Sequence, residues 1–223
     1  MTTPRDPGSA PLRVGFVPGV TVTKWRRIWE ERFPRTPLNV VEVAEADQRR
    51  SLLGDTVDMC FVRLPIDGDS LHVIPLYDEL PVVWMSKDHE LSLLDELTAA
   101  DLVDARVIAD AESASVELAT YSAAVLHVPM SIARSHSRRD MVYRPLVDAP
   151  PTTVALAWRT DSGNEWIDEF IGIVRGRTPN SSRTAKERGD EQKPAEKVAQ
   201  PRKSGVAGRG GRPTGRDGRP RRR

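Results

Sequence analysis

Apolar positions switch repeatedly between a period of two and a helical period over the first 175 residues, then almost disappear. Leu12-Arg-Val-Gly-Phe-Val17 alternates as a strand and stops at the Pro18-Gly19 turn. Val22, Trp25, Ile28, Trp29 and Phe33 then recur at helical spacing until Pro34 and Pro37 end the helix. Leu38–Val43 predicts a second strand, residues 46–53 a short helix closed by Gly54, and Val57–Val62 a third strand. That third strand is apolar almost throughout, as strands buried on both faces are. The order β-α-β-α-β predicts an α/β fold of the doubly wound kind.

The next segments continue the alternation. His72–Pro75 and Leu80–Met85 read as extended, 92–103 as a helix, Arg106–Ala109 as a strand and Ser113–Ala123 as a helix. Val125–Val128 reads as a strand and Pro129–Ser137 as a helix with proline in its favoured first turn. Met141–Val147 is a strand, Ala149-Pro150-Pro151 a break, and Thr153–Trp158 a strong strand. Asn164–Val174 predicts a closing helix with Trp166, Ile167, Phe170 and Ile171 on one face. Beyond Thr178, Pro, Gly, Ser, Arg and Lys dominate, and such a segment buries too little apolar surface to offset its ordering entropy. Disorder is the expectation there. The only internal repetition is a pair of Gly-Arg-Pro triplets in that tail.

Charge sharpens the division. The formal net charge of +1 combines 16 Lys+Arg against 5 Asp+Glu from Arg175 onward, a net of +11, with −10 for residues 1–174. An acidic body with a basic tail points to two classes of partner. The first eleven residues lack the basic start and apolar run of a signal peptide, and no segment approaches the ~18 apolar residues of a membrane span. The expectation is a cytoplasmic protein with no membrane partner. Cys60 is the single cysteine, which rules out an intrachain disulfide.

Candidates for catalysis are sparse. His72, His89, His127 and His136 are scattered with no metal-ligand spacing. Cys60 sits inside an apolar strand, where a cysteine behaves as a small hydrophobe. Asp78-Glu79 and Asp95-Glu96 fall at loop or helix starts, where solvated or capping roles are the default. No Gly-rich phosphate loop or Gly-x-Ser-x-Gly elbow occurs. No catalytic residue, metal or cofactor is expected, and the chain does not read as an enzyme. The five tryptophans fall at core-facing helical or strand positions and read as packing.

Four stretches carry a resemblance: Asp58-Met-Cys-Phe-Val-Arg-Leu-Pro65, Leu76-Tyr-Asp-Glu-Leu-Pro-Val-Val-Trp-Met85, Lys87-Asp-His-Glu-Leu91 and Thr98-Ala-Ala-Asp-Leu102. In this order they resemble the effector-binding domain of LysR-type transcriptional regulators, a two-lobed periplasmic-binding-protein type II fold. The resemblance runs from Leu12 to about Arg175. It implies a disordered start over 1–11, a domain over 12–176 and a basic tail over 177–223. Lobe I would comprise 12–85 and 153–176, and lobe II 86–152, with Leu80–Met85 and Thr153–Trp158 as crossover strands. The helix-turn-helix of such regulators is not expected ahead of Leu12. Only 16 residues separate Ile108 from Val125, far fewer than the family spends, so lobe II is expected to be reduced by a helix and a strand. Ser122 and Ala124 stand where the family has a glycine pair, and His127-Val128-Pro129 replaces an apolar run.

The resemblance also implies a site and partners. The family holds small acids at the start of the first long helix, here Thr21 and Thr23, and at the end of the third strand, here Arg63 and Leu64. Helix N-termini favour anions on general grounds. Taken on the residues alone, one threonine caps the helix and Arg63 is a solvated surface residue. Family domains pair side by side, which would use 22–33 and 129–137 in a homodimer. In the tail, Gly208-Arg-Gly-Gly-Arg-Pro213 and Gly218-Arg-Pro-Arg-Arg-Arg223 are similar to the AT-hook, which lays arginines into a narrow minor groove. Arg209, Arg212, Arg216, Arg219, Arg221, Arg222 and Arg223 are the candidate nucleic-acid contacts. A plain polycation that attracts DNA or RNA alike is the other reading. Two functions stand open at this point. One is a sensor of a small anionic metabolite acting in transcription, with the tail supplying nucleic-acid affinity. The other is a nucleic-acid-associated protein whose lobes dimerise and bind no ligand.

Overall fold

A computed structural model describes residues 11–136 and 138–177. The expected disorder of 1–10 and of the tail from 178 lies outside these residues.

The first lobe opens with strand β1 (Leu12–Phe16), helix α1 (Thr23–Arg32), strand β2 (Leu38–Glu42), helix α2 (Gln48–Leu53) and strand β3 (Met59–Arg63). β1 runs parallel to both β2 and β3. Strand β4 (Leu71–Glu79) and strand β9 (Thr152–Arg159) complete a five-stranded sheet ordered β2-β1-β3-β9-β4, with β9 antiparallel to its neighbours. The two faces of β3 explain its apolar run. Met59 and Phe61 join a core with Trp29, Leu156 and Phe170, while Cys60 and Val62 pack with Leu52, Ala155 and Ala157 on the other face. Helix α5 (Trp166–Val174) lies over the first of these faces beside α1. There Trp25 stacks on Phe61 at 4.6 Å, and the Trp29 indole donates to the Thr36 carbonyl at 2.9 Å. Gly15 is closely packed, since a Cβ there would lie 3.0 Å from Cys60 Sγ. At the end of the lobe, Arg32 donates to the Arg177 carbonyl at 2.6 Å.

The second lobe holds strands β5 (Pro81–Ser86), β6 (Val107–Ile108), β7 (Val125–Pro129) and β8 (Met141–Pro145) in the order β6-β7-β5-β8. Helices α3 (Ser113–Thr120) and α4 (Met130–Ser135) cover one face over Val82 and Trp84. Val83 and Met85 face Leu97 and Leu146 on the other. This is a two-sheet α/β architecture with a small second lobe, as expected. Among the described residues, α3 is the only regular element between β6 and β7.

Several boundaries differ from the sequence reading. β5 belongs wholly to the second sheet, where it pairs with β7 and β8 and all six residues are buried. Of the two crossover strands, β5 thus lies in the second sheet and β9 in the first. β4 spans nine residues rather than the four read from sequence, because Pro75 is tolerated on this edge strand beside a bulge before Tyr77. The expected helix over 92–103 is two 3-10 turns, Glu90–Leu93 and Ala99–Leu102, parted by extended Leu94. Thr98 and Asp101 form a capping box that starts the second turn afresh. Among the described residues no helix is long and apolar enough to cross a membrane.

Candidate functional site between the lobes

The first expected site residue, Arg63, ends β3 and is only 2% exposed. Its guanidinium donates to Glu79 Oε2 through Nε (3.1 Å) and Nη2 (2.8 Å), to Glu45 through Nη1 (2.9 Å) and to the Pro18 carbonyl (2.9 Å). Gln48 brackets its backbone, donating to the Arg63 carbonyl and accepting from its N–H, each at 2.9 Å. Arg63 is thus a buried residue rather than a solvated surface one. Two carboxylates and a carbonyl engage it, and it ties the β1–α1 loop to the end of β4. Leu64 donates its N–H to the Thr153 carbonyl at 2.9 Å and packs, partly buried, against Val43, Leu52 and Val62.

The threonines part company. α1 begins after Val22 with no side-chain cap, so neither hydroxyl closes the helix end. Thr23 is exposed in the first helical turn, whereas Thr21 lines a cavity of about 520 Å³ between the lobes. Gly19, Thr21, Asp78, Glu79 and Leu80 form its first-lobe side, and Met130, Ser131, Arg134 and Ser135 of α4 form the second. The Ser131 hydroxyl is buried and has no hydrogen-bond partner among the described residues. Asp78 accepts from the Thr153 hydroxyl at 2.6 Å and Glu79 is held by Arg63, so both wall carboxylates are engaged. Gly19 has a φ of +89°, and a Cβ there would fall 2.5 Å from Ser131 Oγ, so glycine permits the closest approach between lobes.

Ser131 and Arg134 are the lining residues that the sequence reading passed over. They sit just after the C-terminal end of β7, the place where α/β sheets present ligand contacts, and that signal was available. The helix was assigned instead to subunit pairing.

The other candidates stay in structural roles. Burial pushes the Cys60 thiol up to about 12, far from a thiolate nucleophile. The His89 imidazole accepts from the Leu91 N–H, and His72 lies 5.3 Å from the Trp158 ring. Among the described residues no group of His, Cys, Asp or Glu is arranged to hold a metal.

Comparison with known proteins decides the family. Residues 5–119 match the model of the LysR substrate binding domain, more than half the chain. The chain belongs to this family. Among curated proteins it is similar to the Hca operon transcriptional activator HcaR of Escherichia coli (strain K12), 22% identical over 199 residues, covering 74% of this chain and 67% of that protein. Two solved structures share the fold. A mutant OxyR regulatory domain from Pseudomonas aeruginosa aligns with a TM-score of 0.62 at 24% identity over 75% of this chain and 97% of that one. The BenM effector binding domain with its effector benzoate gives 0.62 at 16% identity, over 86% and 98%. This LysR-family chain thus has the fold of a regulator's effector-binding domain.

Proposed function

We propose that the cleft between Thr21 and α4 binds a small anionic metabolite and that the protein acts in transcription, with its basic tail supplying affinity for DNA or RNA. The observation that carries the reading is the cavity of about 520 Å³ between the lobes, with the exposed Thr21 on one wall and Arg134 on the other. Arg134, on the wall opposite Thr21, supplies the positive charge that Arg63, engaged by Glu79, does not. The BenM domain, similar in fold, holds benzoate.

Small carboxylates are then expected to raise the melting temperature. At a hundredfold excess over Kd the gain is about 2.7 kcal/mol, or roughly 5–10 °C for a domain of this size. Thr21→Val removes the shift while leaving the unliganded protein folded; Thr23→Val, lying outside the cavity, leaves it intact. A wide panel of acids with no shift would support the rival reading, lobes that assemble without an effector. That reading draws on the seating of Gly19 against Ser131, which narrows the cleft.

We also propose a homodimer using α1 and α4. The outer face of α1 is charged, with Arg26–Glu30 and Arg27–Glu31 pairs, so such an interface is polar. Light scattering is expected to give twice the chain mass, with a salt-sensitive equilibrium; a monomer at all salt concentrations would oppose it.

A further inference from the structure

Among the described residues β8 is the outermost strand of the second sheet; it forms a ladder with β5, and Leu97 hydrogen-bonds to the Pro145 carbonyl at its end. A solvent-open depression of about 460 Å³ is bordered by β8 and α4, lined by Trp84, Arg134, Arg138, Met141, Tyr143 and Arg144 among others, with no carboxylate in the lining. Successive strand residues point to opposite faces. Met141 and Tyr143 lie against the core under α4, and Val142 against the core on the other side, so arginines flank the sheet edge from both faces.

The three cations are held differently. Arg138 is paired with Asp140 at 2.9 Å, both half exposed, and that pair is weak. Arg134 donates through Nε to the Tyr143 hydroxyl at 3.2 Å, its guanidinium carbon 6.0 Å from the ring centre. Arg144 is anchored on main chain, donating to the carbonyls of Ser92 (2.8 Å) and Leu94. Among the described residues neither Arg134 nor Arg144 meets a carboxylate. Two guanidiniums without a carboxylate partner, bordering one depression beside Trp84 and Tyr143, are chemically suited to an anion with two acidic groups.

We propose that this edge depression is a second ligand site, taking a small anion with two acidic groups, a phosphate ester or a dicarboxylate, between Arg134 and Arg144. The site does not depend on the cleft reading, although Arg134 borders both cavities.

The test uses the full chain with pyrophosphate and with succinate, ionic strength held constant with sodium chloride, followed by calorimetry. The basic C-terminal stretch also attracts such anions, but it is the same in every variant. Saturable binding is expected, about tenfold weaker in Arg134→Gln and in Arg144→Gln and a few-fold weaker in Arg138→Gln. Arg134→Gln releases no backbone carbonyl, so it remains informative if Arg144→Gln folds poorly. Pyrophosphate preferred over succinate assigns a phosphate ester, and the reverse a dicarboxylate. Thr21→Val is expected to change nothing here. Equal binding by wild type and all arginine variants overturns the site, as does the absence of any saturable component. Loss in Thr21→Val with retention in Arg144→Gln places the anion in the inter-lobe cleft and also overturns it.

Discussion

Deleting residues 179–223 is expected to abolish most DNA binding while shifting the melting temperature of the remainder by little. The reasoning is electrostatic first. The deleted stretch carries nine basic residues between Arg202 and Arg223 alone, whereas residues 1–174 carry a net −10 and repel phosphate. Affinity of the full chain should fall by about a thousandfold between 50 and 200 mM salt if six or more phosphates are neutralised. The stability half follows from composition, since the stretch holds almost no apolar residues to pack. Changing Arg212 and Arg219 to lysine separates the two readings of the Gly-Arg-Pro units. A loss confined to A·T-rich duplexes marks minor-groove recognition, because arginine prefers the narrow groove. Equal loss on G·C-rich duplexes marks a plain polycation. Undiminished binding by the shortened chain would defeat the division of labour between body and tail.

Much of the fold was legible because its strongest signals are burial signals. The period of α1, the doubly buried run of β3 and the amphipathic α5 each survive in the structure within a few residues. Elements set by tertiary pairing were harder. β4 continues through Pro75 because β9 supplies a partner along its whole length, which no local pattern announces. The 3-10 turns replace a helix because Leu97 bridges to Leu146 and pulls the chain out of helical geometry. The Thr98-x-x-Asp101 cap was visible and marks that restart.

The site was read less well, for a related reason. Sequence placed Thr21 beside a strand end, and it does line the cleft. Whether an arginine at a strand end meets ligand or protein depends on its long-range partners. Glu79, sixteen residues away, and Pro18, forty-five away, both close on Arg63 only once the sheet is formed. The Arg134 and Ser131 contributions likewise exist only because Gly19 lets the lobes meet.

Replacing Arg63 by alanine is expected to have the largest effect of any single substitution in the body. The Glu79 side chain is 7% exposed and would be left as an uncompensated buried charge, and the Pro18 carbonyl would lose its donor. Breaking a buried pair this way costs about 3–5 kcal/mol, or roughly 10 °C in melting temperature at this chain length. Glu79→Gln should cost less, because the exposed Glu45 still meets Arg63 Nη1 at 2.9 Å. The double replacement Arg63→Met with Glu79→Leu should recover most of the loss, since removing both charges removes the desolvation penalty. A double-mutant cycle by chemical denaturation measures that coupling. The loss should be larger than a surface pair allows, because an exposed pair contributes only about 0–1 kcal/mol. If Arg63→Ala costs under about 1 kcal/mol, a surface-pair value, the guanidinium is solvated after all. Arg63 would then be free to meet an anion in the cleft, as the likeness to the LysR family first suggested.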